Sequence, residues 1–212
     1  MTIVIVEHSF KAMGGPCRLR LEVTDKQIGQ QAIALAEAEV QRLEQKYSRY
    51  TEDSLTTRIN KAAGSGKAIA IDTETACLLQ YADTAWQASD GRFDLTSGVL
   101  RRCWDFCSGQ LPSQQKVDNT LQLVGWQHVK WDNATISLEL AGMEIDFGGC
   151  VKEYAVDRLA AILGTLNIHA TMIDLAGDLA VTGKPQDGYW PVGIRHPKYK
   201  NRPVAGIHLS EG

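Results

Sequence analysis

The chain has no long apolar run and no apolar leader at its start. A membrane-spanning helix needs about 20 apolar residues in succession, and no comparable stretch occurs among the 212 residues. Only five apolar residues precede Glu7, fewer than the core of roughly 7 to 15 that a secretory signal contains. These absences predict a protein that does not insert into membranes and stays in the cytoplasm.

Basic residues are also too few and too scattered to indicate a nucleic-acid partner. The formal net charge is −3, with 22 Lys and Arg against 25 Asp and Glu. The densest basic segment is RHPKYKNR at residues 195–202, and its turn-forming residues favour a solvated loop over a phosphate-facing one. With 44% hydrophobic and 22% charged residues, the composition is that of an ordinary globular protein.

The cysteines form no recognisable disulfide or zinc pattern. Their number is odd, and they lie in segments that have strand or helix patterns. Cys103 and Cys107 are placed to share a helix face, but no second Cys or His pair at ligand spacing completes a zinc site. Reduced, mostly buried thiols are therefore favoured over a metal cluster. The five residues are Cys17, Cys77, Cys103, Cys107 and Cys150.

No internal repeat, low-complexity tract or linker divides the chain, so we expect a single domain over residues 1–212. Apolar residues keep helical spacing over 26–47, and Asp72 is a predicted N-cap of a helix that ends near residue 89. Two alternating runs at 128–140 surround an Asp-Asn pair, which is typical of a hairpin. Because strands and helices do not alternate strictly, the expected class is α+β, with mixed or antiparallel sheets and packed helices. Further strands are expected at 17–23, 67–71, 170–175, 179–183, 190–194 and 204–209, and a short helix near 124 that stops at Gly125.

Two segments each contain a large side chain that is placed to contact a ligand. In FKAMGG at 10–15, Met13 precedes two glycines that allow a ligand to approach the backbone closely. In QKYSRYTEDSLTTRIN at 45–60, Tyr50 lies at the tip of a polar loop, where its ring can stack on an aromatic ligand. A plain turn with a core Met, and a surface Tyr, are the alternative interpretations. Both stay open on these fragments alone.

Two other segments carry pairs of polar side chains. In DGRFDLTSG at 90–98, an extended segment would point Asp94 and Thr96 to the same side, where they can grip a ribose or an adenine amine. Alternatively, Thr96 or Ser97 caps a helix. In MIDLAGDLAVTGKP at 172–185, Asp174 and Asp178 are placed to hold a sugar or a metal-bound water, or they form a strand turn.

The segment EIDFGGCVKEYAVDRLAAIL at 144–163 changes from a strand pattern to a helix pattern at Gly148 and Gly149. A buried carboxylate at Asp146 needs a partner, and a helix that begins after two glycines offers free N–H groups to an anion. Lys152 has the wrong sign for this helix end, so we expect an anion to compensate it. The segment matches neither the dinucleotide nor the P-loop pattern, so it indicates phosphate binding only weakly.

Taken in order, these segments resemble the ApbE-type FAD:protein FMN transferases. FKAMGG, YSRYTEDSLTTRIN, GRFDLTSG, DFGGCVKEYAVD, DLAGDLAVTG and WPVGIRHP occur in the order and approximate spacing of that family. Each motif is weak alone, but six in order are specific. The resemblance implies an ApbE-like, T-fold-like α+β architecture.

The resemblance also implies a magnesium-dependent reaction. FAD is bound, and a Thr or Ser hydroxyl of a partner flavoprotein attacks its pyrophosphate. FMN becomes covalently attached to that acceptor, and AMP leaves. Gly149 matches a position whose backbone carbonyl ligates Mg²⁺, while no catalytic residue is assigned. The positions that match FAD-contacting residues of the family are Met13, Tyr50, Arg92, Phe93, Asp94, Asp146 and Lys152.

The sequence departs from the family pattern at three places. Glu153 stands where many relatives have Gly, and Ala176 replaces the first glycine of a Gly-Gly-Asp. We expect both changes to be tolerated, because neither supplies a contacting atom, and the larger departure is at the C-terminal end. The family's C-terminal third, with a Thr-Ser-Gly stretch, a His-x-x-Asp segment and the Asp and Thr side chains that complete the magnesium site, is not among the 212 residues. A non-catalytic FAD- or nucleotide-binding module is therefore the alternative function. The strand at 204–209 would then be an exposed edge, which favours self-association.

Overall fold

A computed structural model describes residues 2–105, 107–199 and 202–210. The chain divides into two compact units, which we call the sheet unit (residues 1–44 and 152–212) and the loop unit (residues 45–151). The interpretation of residues 1–212 as one domain remains a prediction. Over the described ranges, no helix has the length and apolar character needed to cross a membrane.

The sheet unit is built on four antiparallel strands in the order β1-β2-β6-β7. Neighbouring strands in this order are antiparallel, for example with Leu19 opposite Ile173 across β2 and β6, and the β2–β6 register shifts between Glu22 and Val23. Two-residue turns join β1 to β2 and β6 to β7, and both turns lie at the same end of the sheet. The strands are β1 Val4–Ala12, β2 Gly15–Val23, β6 Ile168–Leu175 and β7 Asp178–Thr182.

One face of this sheet is apolar and is covered by a helix. Leu19, Leu21 and Val23 alternate along β2 and are fully buried, as expected for a strand with one buried face. Helix α1 (Lys26–Tyr47) approaches closely at Gly29, where an added Cβ would lie 2.8 Å from Val6 Cγ2. Helix α5 (Val151–Gly164) is tied to α1 by an ion pair between Arg158 and Glu39 at 3.2 Å.

The opposite face of the sheet contacts a separate hairpin. Strands β8 (Trp190–Arg195) and β9 (Pro203–Leu209) pair with each other in a two-stranded sheet. Trp190 is 1% exposed and packs against Ala170 and Val181 of the four-stranded sheet. Six of the seven residues of β9 are exposed.

The loop unit combines short helices with a small sheet. Strands β3 (Ile69–Ala70), β4 (Val129–Trp131) and β5 (Thr135–Leu138) form an antiparallel sheet in the order β3-β5-β4. This unit also contains three 3-10 segments, Leu95–Arg102, Trp126–His128 and Phe147–Gly149. The α-helices are α2 Leu55–Lys61, α3 Thr73–Ala88 and α4 Gln114–Leu121.

The expected α+β class with antiparallel sheets is confirmed, and so are most of the expected elements. Helix α1 has the expected bounds, and Asp72 caps α3 by accepting a hydrogen bond from Thr75 N at 3.0 Å. The hairpin at 128–140 forms as β4 and β5. The strands expected at 17–23, 67–71, 170–175, 179–183, 190–194 and 204–209 correspond to β2, β3, β6, β7, β8 and β9.

Two local predictions are wrong. The helix near 124 ends at Leu121, and Gly125 instead precedes the 3-10 turn Trp126–His128, because Gly125 N donates to Thr96 Oγ1 at 2.7 Å. Neither Thr96 nor Ser97 is an N-cap. Asp94 takes that role for the 3-10 segment Leu95–Arg102. Strand β1 was not expected from the sequence.

All five cysteines are free, as expected for reduced thiols. Three are buried, but Cys77 and Cys107 are exposed. Cys103 ends the 3-10 segment Leu95–Arg102 and Cys107 lies in a turn, so the two do not share a helix face. The basic segment at 195–202 is largely exposed over its described residues, and Lys200 and Asn201 lie outside the described residues. The interpretation as a solvated loop stays a prediction.

Candidate functional site

In the sheet unit, the FKAMGG segment forms a tight hairpin turn with an unusual backbone. Met13 (φ 50°) and Gly14 (φ 79°) join β1 to β2. A two-residue turn with positive φ at both positions matches the right-handed twist of the flanking strands, but it is strained for a side chain such as Met. Met13 N donates to Glu44 Oε1 at 2.7 Å, which stabilises the turn. Met13 is half-buried, so it is not a core Met.

A second turn of the same kind lies directly beside the first. Ala176 (φ 57°) and Gly177 (φ 105°) join β6 to β7. Ala176 N donates to Pro16 O at 3.1 Å, and a Cβ added at Gly15 would lie 2.4 Å from Ala176 Cβ. Gly15 is therefore required for the two turns to approach each other.

Lys152 and Asp178 form an ion pair at this end of the sheet unit. Lys152 Nζ lies 2.5 Å from Asp178 Oδ2, and both side chains are 29% exposed. The anion expected to compensate Lys152 is thus supplied by the protein. Asp174 has a different role, because its Oδ1 accepts from Gly177 N at 2.8 Å and closes the turn. The strand-turn interpretation of Asp174 is confirmed.

In the loop unit, Asp146 is bound on both of its carboxylate oxygens. Oδ1 accepts from Gly148 N at 2.9 Å, and Oδ2 pairs with Arg49 Nη1 at 2.7 Å. The backbone N of Asp146 also donates to Leu95 O at 3.0 Å. The half-buried carboxylate therefore has the partners that burial of a charge requires.

Arg49 also connects Asp146 to Tyr50. Its Nη2 donates to the Tyr50 hydroxyl at 3.1 Å, and its guanidinium carbon lies 5.2 Å from the centre of the Tyr50 ring. The guanidinium of Arg101 lies 6.0 Å from the same ring and is held by Glu144 at 3.2 Å. The Tyr50 side chain is 78% exposed, so its ring is accessible while its hydroxyl is fixed.

Phe93 and Gly149 lie against each other in the same unit. A Cβ added at Gly149 would be 3.2 Å from Phe93 Cε2, so the glycine leaves room for the ring edge. Beneath this segment, the Tyr47 ring packs on Phe147 with centroids 5.0 Å apart. Burial raises the pKa of Tyr47 to about 12, so the phenol stays neutral and hydrogen-bonds to Thr75 Oγ1 at 3.0 Å.

The expected extended segment with Asp94 and Thr96 on one side is wrong, because Thr96 lies in the 3-10 segment and bonds to Asp94 itself. Asp94 Oδ1 accepts from both Thr96 N (2.7 Å) and Thr96 Oγ1 (2.6 Å), and Asp94 Oδ2 accepts from Trp126 N at 3.0 Å. These bonds hold the 3-10 segment that follows. Arg92 lies apart, with a side chain that is 81% exposed and contacts Asp90 at 3.6 Å.

A half-buried lysine that pairs with two carboxylates supports the start of α3 in the loop unit. Lys46 Nζ lies 2.6 Å from Asp72 Oδ2 and 2.7 Å from Glu74 Oε2. Burial acts to raise the pKa of Asp72, but hydrogen bonds from Lys46 and Thr75 outweigh it and lower this pKa to about 2. For Lys46, burial acts to lower the pKa, and its hydrogen bonds to the two carboxylates raise it above the ordinary value.

The structure thus brings Tyr50, Phe93, Asp146 and Gly149 onto neighbouring segments of the loop unit. Met13 and Lys152 belong to the sheet unit. The role of each as a FAD or magnesium contact stays a prediction. Sequence reasoning missed Arg49, which bonds two of the expected site residues. Its only signal was its position directly before Tyr50.

Comparisons with known proteins agree with this fold. The sequence profile of the ApbE family matches residues 13–212. A "FAD:protein FMN transferase" of Klebsiella pneumoniae is 27% identical over 197 residues, which cover 91% of this chain and 59% of the relative. One of the same name from Chlamydia pneumoniae is 30% identical over 67% of this chain and 46% of its own length. The chain therefore spans about half to three fifths of these relatives.

Solved structures show the same architecture. The crystal structure of the ApbE protein of Thermotoga maritima has a TM-score of 0.83 and 25% identity, with 99% of this chain and 69% of that chain covered. The flavin transferase ApbE of Vibrio cholerae also has a TM-score of 0.83, at 21% identity and the same coverage.

Proposed function

The chain belongs to the ApbE family, and we propose that it transfers FMN from FAD to a hydroxyl group of a partner flavoprotein. The observation that carries this proposal is the family match over residues 13–212. The relatives from Klebsiella pneumoniae and Chlamydia pneumoniae, both named as FAD:protein FMN transferases, support it. The clustering of Tyr50, Phe93 and Asp146 in the loop unit is consistent with a flavin-contacting surface.

The proposed reaction is a phosphoryl transfer. The oxygen of an acceptor Thr or Ser hydroxyl forms a bond to the FMN phosphorus of FAD, and the bond from that phosphorus to the bridging oxygen breaks. The bridging oxygen leaves with AMP, and the hydroxyl proton is lost from the acceptor. Such transfers depend on positioning the reactants and stabilising charge on the phosphoryl oxygens.

Within the loop unit, we propose distinct roles for the clustered groups. The exposed ring of Tyr50 supplies a stacking surface for an aromatic ring, and Phe93 borders the backbone at Gly149. Asp146 accepts hydrogen bonds, and Asp94 holds the 3-10 segment beside it. Arg92 is exposed, its guanidinium contacts Asp90 at 3.6 Å and Ser89 O at 3.3 Å, and we propose that it reaches a ligand phosphate or ring edge.

In the sheet unit, we propose that Met13 and Lys152 contact FAD. Met13 presents a flexible thioether from a fixed turn, which suits a flat ring. Lys152 carries a positive charge that is paired with Asp178, and a pyrophosphate is an alternative partner for that charge. Lys152 would then exchange one anion for another on binding.

The residues of the described chain do not provide a complete magnesium site. No group of three or more His, Cys, Asp or Glu side chains among them is placed to hold a metal ion. Mg²⁺ takes six oxygen ligands and prefers carboxylates and phosphates, while Gly149 offers only a backbone carbonyl. The magnesium dependence implied by the resemblance remains a prediction.

A second candidate function is a FAD- or nucleotide-binding module that does not catalyse transfer. The two functions differ in one product. The protein is mixed with FAD, millimolar Mg²⁺ and an acceptor that the Klebsiella pneumoniae relative flavinylates, and AMP is measured by chromatography. AMP released in proportion to flavinylated acceptor supports the transferase. Binding of FAD without AMP supports the binding module, and no binding of FAD contradicts both.

The exposed strand β9 carries a separate proposal. Six of the seven residues of β9 are exposed. An exposed edge strand can pair through its backbone with a strand of another chain. We propose self-association through β9, to be measured by sedimentation of the purified protein, where a single monomeric species would contradict it. The cytoplasmic location expected from the sequence also stays a prediction.

A further inference from the structure

Arg49 is the one guanidinium that hydrogen-bonds both Tyr50 and Asp146 in the described part of the chain. Its Nη1 lies 2.7 Å from Asp146 Oδ2, and its Nη2 donates to the Tyr50 hydroxyl at 3.1 Å. We propose that Arg49 is a positioning residue that orients the Tyr50 ring for the flavin. This inference rests on the proposed function, since it assigns Arg49 a role toward FAD through Tyr50.

Arg49 is itself fixed by the loop unit. Its side chain is 16% exposed, and Nη1 also donates to the backbone oxygen of Gly98 at 3.2 Å. A guanidinium presents its N–H groups in a rigid plane, so two bonds on one side fix the direction of the third. The Tyr50 hydroxyl therefore bonds to a donor whose orientation is fixed.

Tyr50 depends on this donor because little else holds it. The side chain is 78% exposed, and its backbone N donates to Ser48 Oγ at 3.2 Å. Arg101 lies near the ring at 6.0 Å but is bound to Glu144. Without Arg49, the Tyr50 hydroxyl loses this hydrogen bond, and the exposed ring gains rotational freedom. Binding FAD would then require it to be immobilised, and that ordering weakens affinity.

A lysine at position 49 could not bond to Asp146 and Tyr50 at the same time. An ammonium is a single point of charge on a flexible stem, while the guanidinium reaches the carboxylate and the phenol at once. Arg49→Lys keeps the charge beside Asp146 and loses the simultaneous contact with Tyr50. The Lys variant thus separates the charge of Arg49 from its geometry.

The test compares Arg49→Ala, Arg49→Lys, Tyr50→Phe and the control Arg58→Ala. Arg58 is an exposed arginine of α2 in the same unit. FAD is titrated into each protein, and the quenching of flavin fluorescence gives both the Kd and the quenching at saturation. We expect Arg49→Ala to raise the Kd about tenfold and to reduce the saturating quenching. Arg49→Lys should fall between it and the wild type, and Arg58→Ala should match the wild type.

A second readout requires no ligand. The six tyrosines are replaced biosynthetically by 3-fluorotyrosine, and the ¹⁹F resonance of Tyr50 is assigned by its absence in Tyr50→Phe. We expect Arg49→Ala to shift and sharpen that resonance in the free protein, and Arg58→Ala to leave it in place. A role of Arg49 in stability alone would lower the melting temperature without moving this one resonance selectively.

The outcomes distinguish this inference from the function on which it rests. If the wild type binds FAD and Arg49→Ala matches it in Kd and saturating quenching, the role of Arg49 is wrong and the function stands. If the wild type does not bind FAD, the proposed function fails. In that case, an unchanged Tyr50 resonance in Arg49→Ala also shows that Arg49 does not orient the Tyr50 ring.

Discussion

Gly98 lies where the 3-10 segment Leu95–Arg102 crosses the backbone of Asp146, and it leaves no room for a side chain. A Cβ added there would be 2.6 Å from Asp146 Cβ, 3.3 Å from Arg49 Nη1 and 3.4 Å from Asp146 N. Carbon atoms pack best at about 3.5 to 4.0 Å, so Gly98→Ala must push the two segments apart by close to 1 Å.

We expect this overpacking to lower the free energy of unfolding by about 2 kcal/mol, within the usual cost of forcing extra carbon into a packed site. For a protein of this size, such a loss corresponds to a fall in Tm of roughly 4 to 8 °C. Gly98 does not have a positive φ, so the cost is steric and not one of backbone conformation.

Gly164→Ala is the matched control. Gly164 is the last residue of α5, and an added Cβ there would meet nothing within 4 Å. Because alanine favours a helix over glycine, this variant should melt at or slightly above the wild-type temperature. Both variants are followed by circular dichroism during heating. A Tm for Gly98→Ala within about 1 °C of the wild type would refute the steric argument.

Three further predictions follow from individual residues. Ala176→Gly should raise the free energy of unfolding by about 0.5 to 1 kcal/mol. Glycine removes the steric cost of the left-handed backbone at position 176, and its greater conformational entropy in the unfolded chain offsets only part of that gain. A urea midpoint below the wild type would contradict this. The folded-state pKa of Asp72, about 2, lies below its ordinary 3.8, so its stabilisation is present above about pH 4 and is lost as the pH falls toward 2. Since this side chain is 59% exposed, the loss should be roughly 1 kcal/mol, and Asp72→Asn should flatten the acid limb of a stability–pH curve. Iodoacetamide at pH 8 should modify the exposed Cys77 and Cys107 first, while burial raises the pKa of Cys17 and should protect it until the protein unfolds; early labelling of Cys17 in a mass spectrum would show this to be wrong.

Elements with strong local signals could be predicted from the sequence. Asp72 is followed by a clear helical pattern, and its cap forms as expected. The hairpin at 128–140 alternates in both strands around an Asp whose carboxylate accepts from Thr135 N at 2.7 Å. In each case, contacts within a few residues decide the structure.

Elements that depend on distant contacts could not be predicted. Strand β1 lies at the edge of its sheet and buries only Val6 and Ala12, so its apolar alternation is weak. The position of Gly125 is set by Thr96, which is far away in sequence.

The same reason explains what was missed in the candidate site. Asp146 was expected to need a partner, but nothing in its neighbourhood indicates Arg49, which lies far earlier in the chain and reaches it in space. Lys152 was expected to meet an anion, and Asp178 proved to be that anion. The family could be identified without these contacts, because the order and spacing of the six motifs are properties of the sequence alone.

The central proposal is that this chain transfers FMN from FAD to a protein hydroxyl, and intact-mass spectrometry of the acceptor tests it most directly. The protein is incubated with FAD, Mg²⁺ and an acceptor that the Klebsiella pneumoniae relative flavinylates, alongside a reaction without the protein. We predict that the acceptor gains the mass of one FMN less one water, and that a Thr-to-Ala or Ser-to-Ala change at the modified residue abolishes the gain. An acceptor mass that stays unchanged while the Klebsiella pneumoniae enzyme modifies it in parallel would contradict the claim.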